Sequence, residues 1–120
     1  MLGVQIFGVK NSQAARAAER FFKERRIPLQ IVDLKQRPLA PAEIRRFVDK
    51  FGWDAILDRE GRSFSDAGLK YLKLSETDFL ARIEKDPLLL HLPLVRAGKL
   101  LAAGKDETAW KAMAEELSRK

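Results

Sequence analysis

Apolar positions along this chain change period several times, and each change marks an element. Val4, Ile6, Phe7 and Val9 form a short apolar run that reads as a buried strand leading into a loop at Lys10-Asn11-Ser12. A helix then starts at Ser12 or Gln13 and carries Ala14, Ala15, Ala17, Ala18, Phe21 and Phe22. Serine is a favoured cap there, because its oxygen accepts from an amide the helix leaves unpaired. Pro28 to Asp33 reads as a second strand, with proline at its start, where a missing donor costs least. Lys35 to Ala40 is a linker punctuated by Pro38, and Pro41 opens a helix at the first-turn position proline prefers. Ile44, Phe47, Val48 and Phe51 follow at i, i+3, i+4 and i+7, and Gly52 closes the helix. Trp53 to Leu57 continues apolar, Asp58 to Ser63 reads as a charged loop, and Ser65 to Tyr71 as a short helix.

Ser75-Glu76-Thr77-Asp78 has the form of a capping box, with Phe79, Leu80 and Ile83 on the inner face of the helix it starts. Pro87 ends that helix, and Leu88-Leu89-Leu90 is expected to pack inside. Leu92 to Arg96 and Lys99 to Ala102 form two strands around a tight turn at Ala97-Gly98. After Gly104, Asp106 caps a last helix with Trp110, Met113, Ala114 and Leu117 on one face. The order βαβ, several helices, then ββα predicts an α/β chain with a mixed sheet and helices on both faces. Residues 1–120 are expected to form a single domain.

Composition removes whole classes of chemistry. With no cysteine, the chain forms no disulfide, binds no metal through sulfur and runs no thiol catalysis. One histidine, His91, is too few for an ordinary zinc site, and it reads as a residue at a strand start bonded to backbone. No apolar run approaches the roughly 20 residues of a membrane helix. The N-terminus lacks the layout of a secretory signal, so no membrane association and a cytoplasmic location are expected. The net charge of +6 is spread over clusters such as Lys23-Glu24-Arg25-Arg26 that alternate with acids, as on solvated helix faces. No nucleic-acid motif accompanies them, and specific nucleic-acid binding is not expected. Trp53 and Trp110 sit on apolar faces and read as packing residues.

Three segments, in order, resemble the arsenate reductase-like (ArsC/YffB/Spx) family of the thioredoxin superfamily. Ile6-Phe7-Gly8-Val9-Lys10-Asn11 is similar to the approach to that family's active-site loop. Trp53-Asp54-Ala55-Ile56-Leu57 resembles its second helix-to-loop passage, and the run from Asp86 to Val95 resembles its H-P-x-L-x-x-R-P-I/L-V segment. The resemblance implies a thioredoxin-like mixed sheet with a helical insertion. It also implies a nucleophilic thiol at the first helix N-terminus, where the dipole and free amides lower its pKa. Ser12 stands in that position, and a serine hydroxyl does no disulfide chemistry. Leu92 stands where the family has an arginine before proline, and Ala102-Ala103-Gly104 where arsenate reductases place another. Arg59 is the nearest compensating cation, and Pro93 matches the family's cis-proline, beside which an extended peptide can pair.

No catalytic residue is therefore expected. The candidate ligand groove comprises Lys10, Asn11, Ser12, Gln13, Arg59, Leu92 and Pro93. Ser12 is first a helix cap; with Lys10 and the amides of Gln13 and Ala14 it also retains the makings of an anion site. Glutathione is the one cofactor the resemblance implies. Three readings stand at this point: a cysteine-less binding or regulatory module with an unknown protein partner, a glutathione-dependent thiol or arsenate reductase with Ser12 in the cysteine position, and a Spx-like regulator that binds RNA polymerase.

Overall fold

Four strands form a mixed sheet in the order β2-β1-β3-β4, where β1 is Val4–Gly8, β2 Leu29–Asp33, β3 Leu94–Ala97 and β4 Leu100–Ala103. In this computed structural model the described residues are 3–10, 12–58, 60–66, 68 and 75–118. β1 runs parallel to β2, with Ile6 opposite Ile31, and antiparallel to β3, with Ile6 opposite Val95. A parallel pair needs a crossover, and α1 (Gln13–Glu24) supplies it.

The chain divides into two compact units, one of Met1–Asp33 with Leu92–Lys120 and one of Leu34–His91. In the first, alternation along β1 puts Val4 and Ile6 on one face of the sheet. There they pack with Val95 and Ala102, with Ala18, Phe21 and Phe22 of α1, and with Trp110 and Met113 of α6 (Glu107–Ser118). The rings of Phe21 and Trp110 lie 5.7 Å apart and those of Phe22 and Trp110 6.4 Å apart. Each Val, Ile, Phe or Met among them contributes about 1.5–3 kcal/mol by leaving water. Trp110 is fully buried, and its indole N–H meets no acceptor among the described residues. Asp106 accepts from Ala109 N–H at 3.1 Å, so α6 starts at the expected cap.

The second unit holds α2 (Pro41–Phe51), α3 (Trp53–Ile56), α4 (Arg62–Asp66), α5 (Glu76–Lys85) and a 3-10 turn at Pro87–Leu89. Gly52 ends α2 with φ +84°, a conformation that favours glycine. Ser75 and Asp78 cap α5 reciprocally: Asp78 N–H donates to Ser75 Oγ at 3.2 Å, and Ser75 N–H to Asp78 Oδ2 at 3.4 Å. Arg45 of α2 pairs with Glu76 of α5 at 3.1 Å, and Trp53 stacks on Phe79 at 5.2 Å. Leu57 and Leu90 bridge as a short antiparallel pair.

Several expectations change in detail. α4 begins at Arg62, inside the stretch read as a charged loop. The helix expected over Ser65 to Tyr71 continues α4 only to Asp66; positions 67 and 69–71 lie outside the described residues. Leu88 is 42% exposed while Leu89 and Leu90 are buried, because a turn with three residues per revolution cannot face three successive leucines inward. The hairpin turn is Gly98-Lys99, with Gly98 at φ +62°, and Ala97 belongs to β3 opposite Leu100. No helix of the described residues is long and apolar enough to cross a membrane.

Candidate functional site

β1 delivers the chain to a tight loop, and α1 starts immediately beyond it. Ser12 N–H donates to Val9 carbonyl at 3.1 Å, which closes the loop. Ser12 itself is extended at φ −79°, ψ 119°, and its Oγ accepts from Ala15 N–H at 3.1 Å. That is an N-cap, and it occupies one of the hydroxyl's acceptor positions. Arg16 Nε donates back to the Lys10 carbonyl at 3.2 Å, fastening the loop to the helix from the other side.

The helix end itself is positive, while the groove beside it sets Lys10 and Arg16 against Glu19 and Asp33. The first turn of α1 holds no acidic residue, so its partial positive charge is not offset within the helix. The amides of Gln13 and Ala14 have no acceptor inside the helix. Gln13 and the Lys10 side chain are both exposed. An anion arriving here meets aligned N–H dipoles and the exposed Lys10, with Asp33 lining the same groove.

Leu92-Pro93 is a cis peptide bond, as expected from the resemblance. Gly8 ties it to the helix start: a Cβ on Gly8 would lie 3.0 Å from Ala15 Cβ and 3.8 Å from Pro93 Cβ. The first turn of α1 and the proline ring therefore converge on one glycine, which has no room for a side chain. Pro93 carbonyl accepts from Gly104 N–H at 3.0 Å, which ties the proline to the residue just after β4. Lys10, Ser12, Gln13, Leu92 and Pro93 thus lie in one unit. Asn11 and Arg59 lie outside the described residues.

His91 belongs to the other unit. Its main-chain N–H donates to Ile56 carbonyl at 2.7 Å, and its Nε2 lies 4.0 Å from Asp58 Oδ1. Its main chain is bonded to backbone, and β3 begins three residues later, at Leu94. Two further residues shape the loop without having been singled out in the sequence. Gly8 was visible as part of the motif but without a role. Arg16 carried no signal, because nothing in the chain's pattern shows that it reaches back to Lys10. No group of three or more metal-binding side chains occurs among the described residues.

Comparison with known proteins agrees with this architecture. No curated protein matches the chain in sequence. Among solved structures, a YFFB protein is 21% identical with a TM-score of 0.81, covering 92% of this chain and 98% of its own. An arsenate reductase from Vibrio cholerae is 16% identical with a TM-score of 0.75, covering 98% of this chain and 97% of its own. An arsenate reductase (ArsC) related protein from Brucella melitensis is 20% identical with a TM-score of 0.65, covering 92% of both chains. At these identities the likeness shows the fold. Residues 7–113 match the ArsC family itself. With that match over most of its length, and with β1, α1 and Pro93 arranged as described, the chain belongs to the ArsC family.

Proposed function

We propose that this ArsC-family protein has left thiol chemistry behind and works as a binding or regulatory module. Its groove at the start of α1 takes a small anion or an anionic peptide such as glutathione, and a protein partner reads the result. The observation that carries this reading is Ser12. By resemblance it takes the family's thiol position; it serves as the N-cap of α1 and belongs to a chain with no cysteine at all. A low-pKa thiolate and the arginines that hold an oxyanion depend on one another, since several donors are needed to stabilise such charge. Here the thiol and the arginine before Pro93 are both absent, with Ser12 and Leu92 in their places. What supports binding is Lys10, the amides of Gln13 and Ala14, which have no acceptor inside the helix, and the backbone of Leu92 beside Pro93. Glutathione fits this set, with a carboxylate toward Lys10 and its peptide backbone along Leu92.

The test is an amide-resolved NMR titration with glutathione and, separately, inorganic phosphate. Shifts confined to residues 10–14 and 92–95 are expected. Absence of shifts there at millimolar ligand would remove the binding role from this groove.

A further inference from the structure

The sheet face turned away from α1 and α6 carries a polar row, at the end of β1 far from Ser12. Gln5 stands opposite Gln30 of β2 on one side and Arg96 of β3 on the other. Alternation puts these three on the face that Val4 and Ile6 leave. The next row along, Phe7 with Val32 and Leu94, is apolar and buried. In the other direction come Gly3, Pro28 and Gly98, each two positions from a member of the polar row. The polar row and these three residues line a groove of about 390 Å³, within the sheet unit. That volume is near the lower end of the roughly 300–1,000 Å³ of small-molecule sites. The groove shares no lining residue with the loop at the start of α1.

Gln5 Nε2 donates to Gln30 Oε1 at 3.3 Å. That bond orients both amides: Gln30 Nε2 then offers donors and Gln5 Oε1 an acceptor, and neither has a partner among the described residues. Arg96 is half-buried, and its Nε donates to Gly98 carbonyl at 3.3 Å, which holds the guanidinium beside the mouth of the groove. Arg96 is engaged elsewhere as well. Five N–H donors in one plane let a guanidinium serve several acceptors at once. Gly3 passes so near Pro28 that a Cβ there would lie 2.4 Å from its carbonyl oxygen. Glycine is therefore required, and the mouth gains no side chain from that position. Arg96 is the one charged residue among those described in the lining, and no acid opposes it there. The charges nearest in sequence, Arg26 before Pro28 and Lys99 after Gly98, are basic too.

We propose that this groove binds a small carboxylate with an N–H beside the acid, the chemistry of an N-acyl amino acid or of a peptide's last residue. The Arg96 guanidinium takes the carboxylate in a charge-assisted pair. Gln30 Nε2 donates to a carboxylate oxygen, and Gln5 Oε1 accepts from the ligand's N–H. One cation and two oriented amides select this ligand, whereas the groove at α1 sets its cations against Glu19 and Asp33. The proposal stands apart from the binding role assigned to the start of α1.

The probe is N-acetylglycine, with neutral N-acetylglycinamide and acetate, which lacks the N–H, as controls. Titrated into the isotopically labelled full chain, N-acetylglycine shifts the side-chain amides of Gln5 and Gln30, the Arg96 Nε–H and the Gly98 amide. The glycinamide binds at least tenfold more weakly, and acetate more weakly than N-acetylglycine. Gln30→Glu, at an exposed position, sets a carboxylate in the groove and weakens N-acetylglycine at least tenfold with the fold unchanged. Arg96→Gln does the same; because it alters a half-buried side chain, Gln30→Glu decides if that variant unfolds. Acetyl-Ala-Ala-Gly binding more tightly than N-acetylglycine assigns the groove to a chain end, and equal binding assigns it to the free acid. The proposal is overturned by equal binding of N-acetylglycine and either control, or by unchanged binding in Gln30→Glu. It is also overturned if millimolar N-acetylglycine leaves Gln5 and Arg96 unshifted, or shifts only residues 10–14, which would place the acid at α1.

Discussion

Replacing Ser12 by alanine isolates what the hydroxyl does as a helix cap. The substitution removes the acceptor that Ala15 N–H meets at 3.1 Å, in a first turn that is only half-buried, so water recovers part of the loss. A lost N-cap of this type costs about 1 kcal/mol, with a range of about 0.5–2. For 120 residues, an unfolding entropy of about 2.1 cal/mol/K per residue converts 1 kcal/mol into a Tm fall of about 4 °C. Ser12→Gly should cost only a few tenths of a kcal/mol, because water reaches the freed amides. Ser12→Asp keeps an acceptor and adds a negative charge to a helix end with no acid in its first turn, a gain of about 0.3–1 kcal/mol. The expected order of stability is Asp, Ser, Gly, Ala, measured by urea unfolding with calorimetry alongside. The aspartate variant should also lose phosphate and glutathione binding while gaining stability, which separates the cap from the anion site. An alanine variant as stable as the parent, or an aspartate variant less stable than alanine, would refute the reasoning.

Two other changes probe the scaffold that positions this loop. Trp110→Ala should cost about 3–5 kcal/mol by emptying the centre of the sheet unit. Trp110→Phe should cost much less than that, because the indole N–H it removes has no acceptor to lose; denaturant unfolding of the pair checks the ratio. Gly8→Ala sets a methyl group 3.0 Å from Ala15 Cβ, and overpacking there should cost about 1–3 kcal/mol. Its amide spectrum should show changes reaching both Ala15 and Leu94, since the helix start and the proline meet at that glycine.

The parts of this fold legible in the sequence are those where one residue type answers one local need. Ser12, Ser75 and Asp106 cap their helices through hydrogen bonds that any chain entering a helix requires. Pro41 opens α2 because the N–H it lacks is one the helix leaves unpaired, and Gly52 ends it at a positive φ that other residues disfavour. The less legible parts depend on distant geometry. α4 begins at Arg62 without a recognisable signal, so its polar start resembled loop. Leu88 faces solvent because the 3-10 turn, not hydrophobicity, sets its direction. Ile31 alternates like a core residue, and only the strand order shows that it lies on an edge. The Arg25-Arg26 pair is the exposed helix end its sequence suggests, but the contacts made there were not legible. In the structure Arg25 donates to Phe21 carbonyl at 3.1 Å and its guanidinium lies 3.6 Å over the Phe21 ring. At the site, Ser12 and Pro93 were readable by resemblance, whereas the Arg16 bond to Lys10 and the meeting point at Gly8 needed coordinates.

The central claim is that a family scaffold persists here without its redox reaction. The most direct test is turnover itself: purified protein incubated with excess glutathione and either arsenate or a glutathione mixed disulfide, followed by glutathione oxidation. The account predicts a rate indistinguishable from the reaction without protein for both substrates. Turnover that scales with protein concentration and survives repurification would contradict it, and would mean that glutathione's own thiol does the chemistry in a groove where Ser12 only caps the helix.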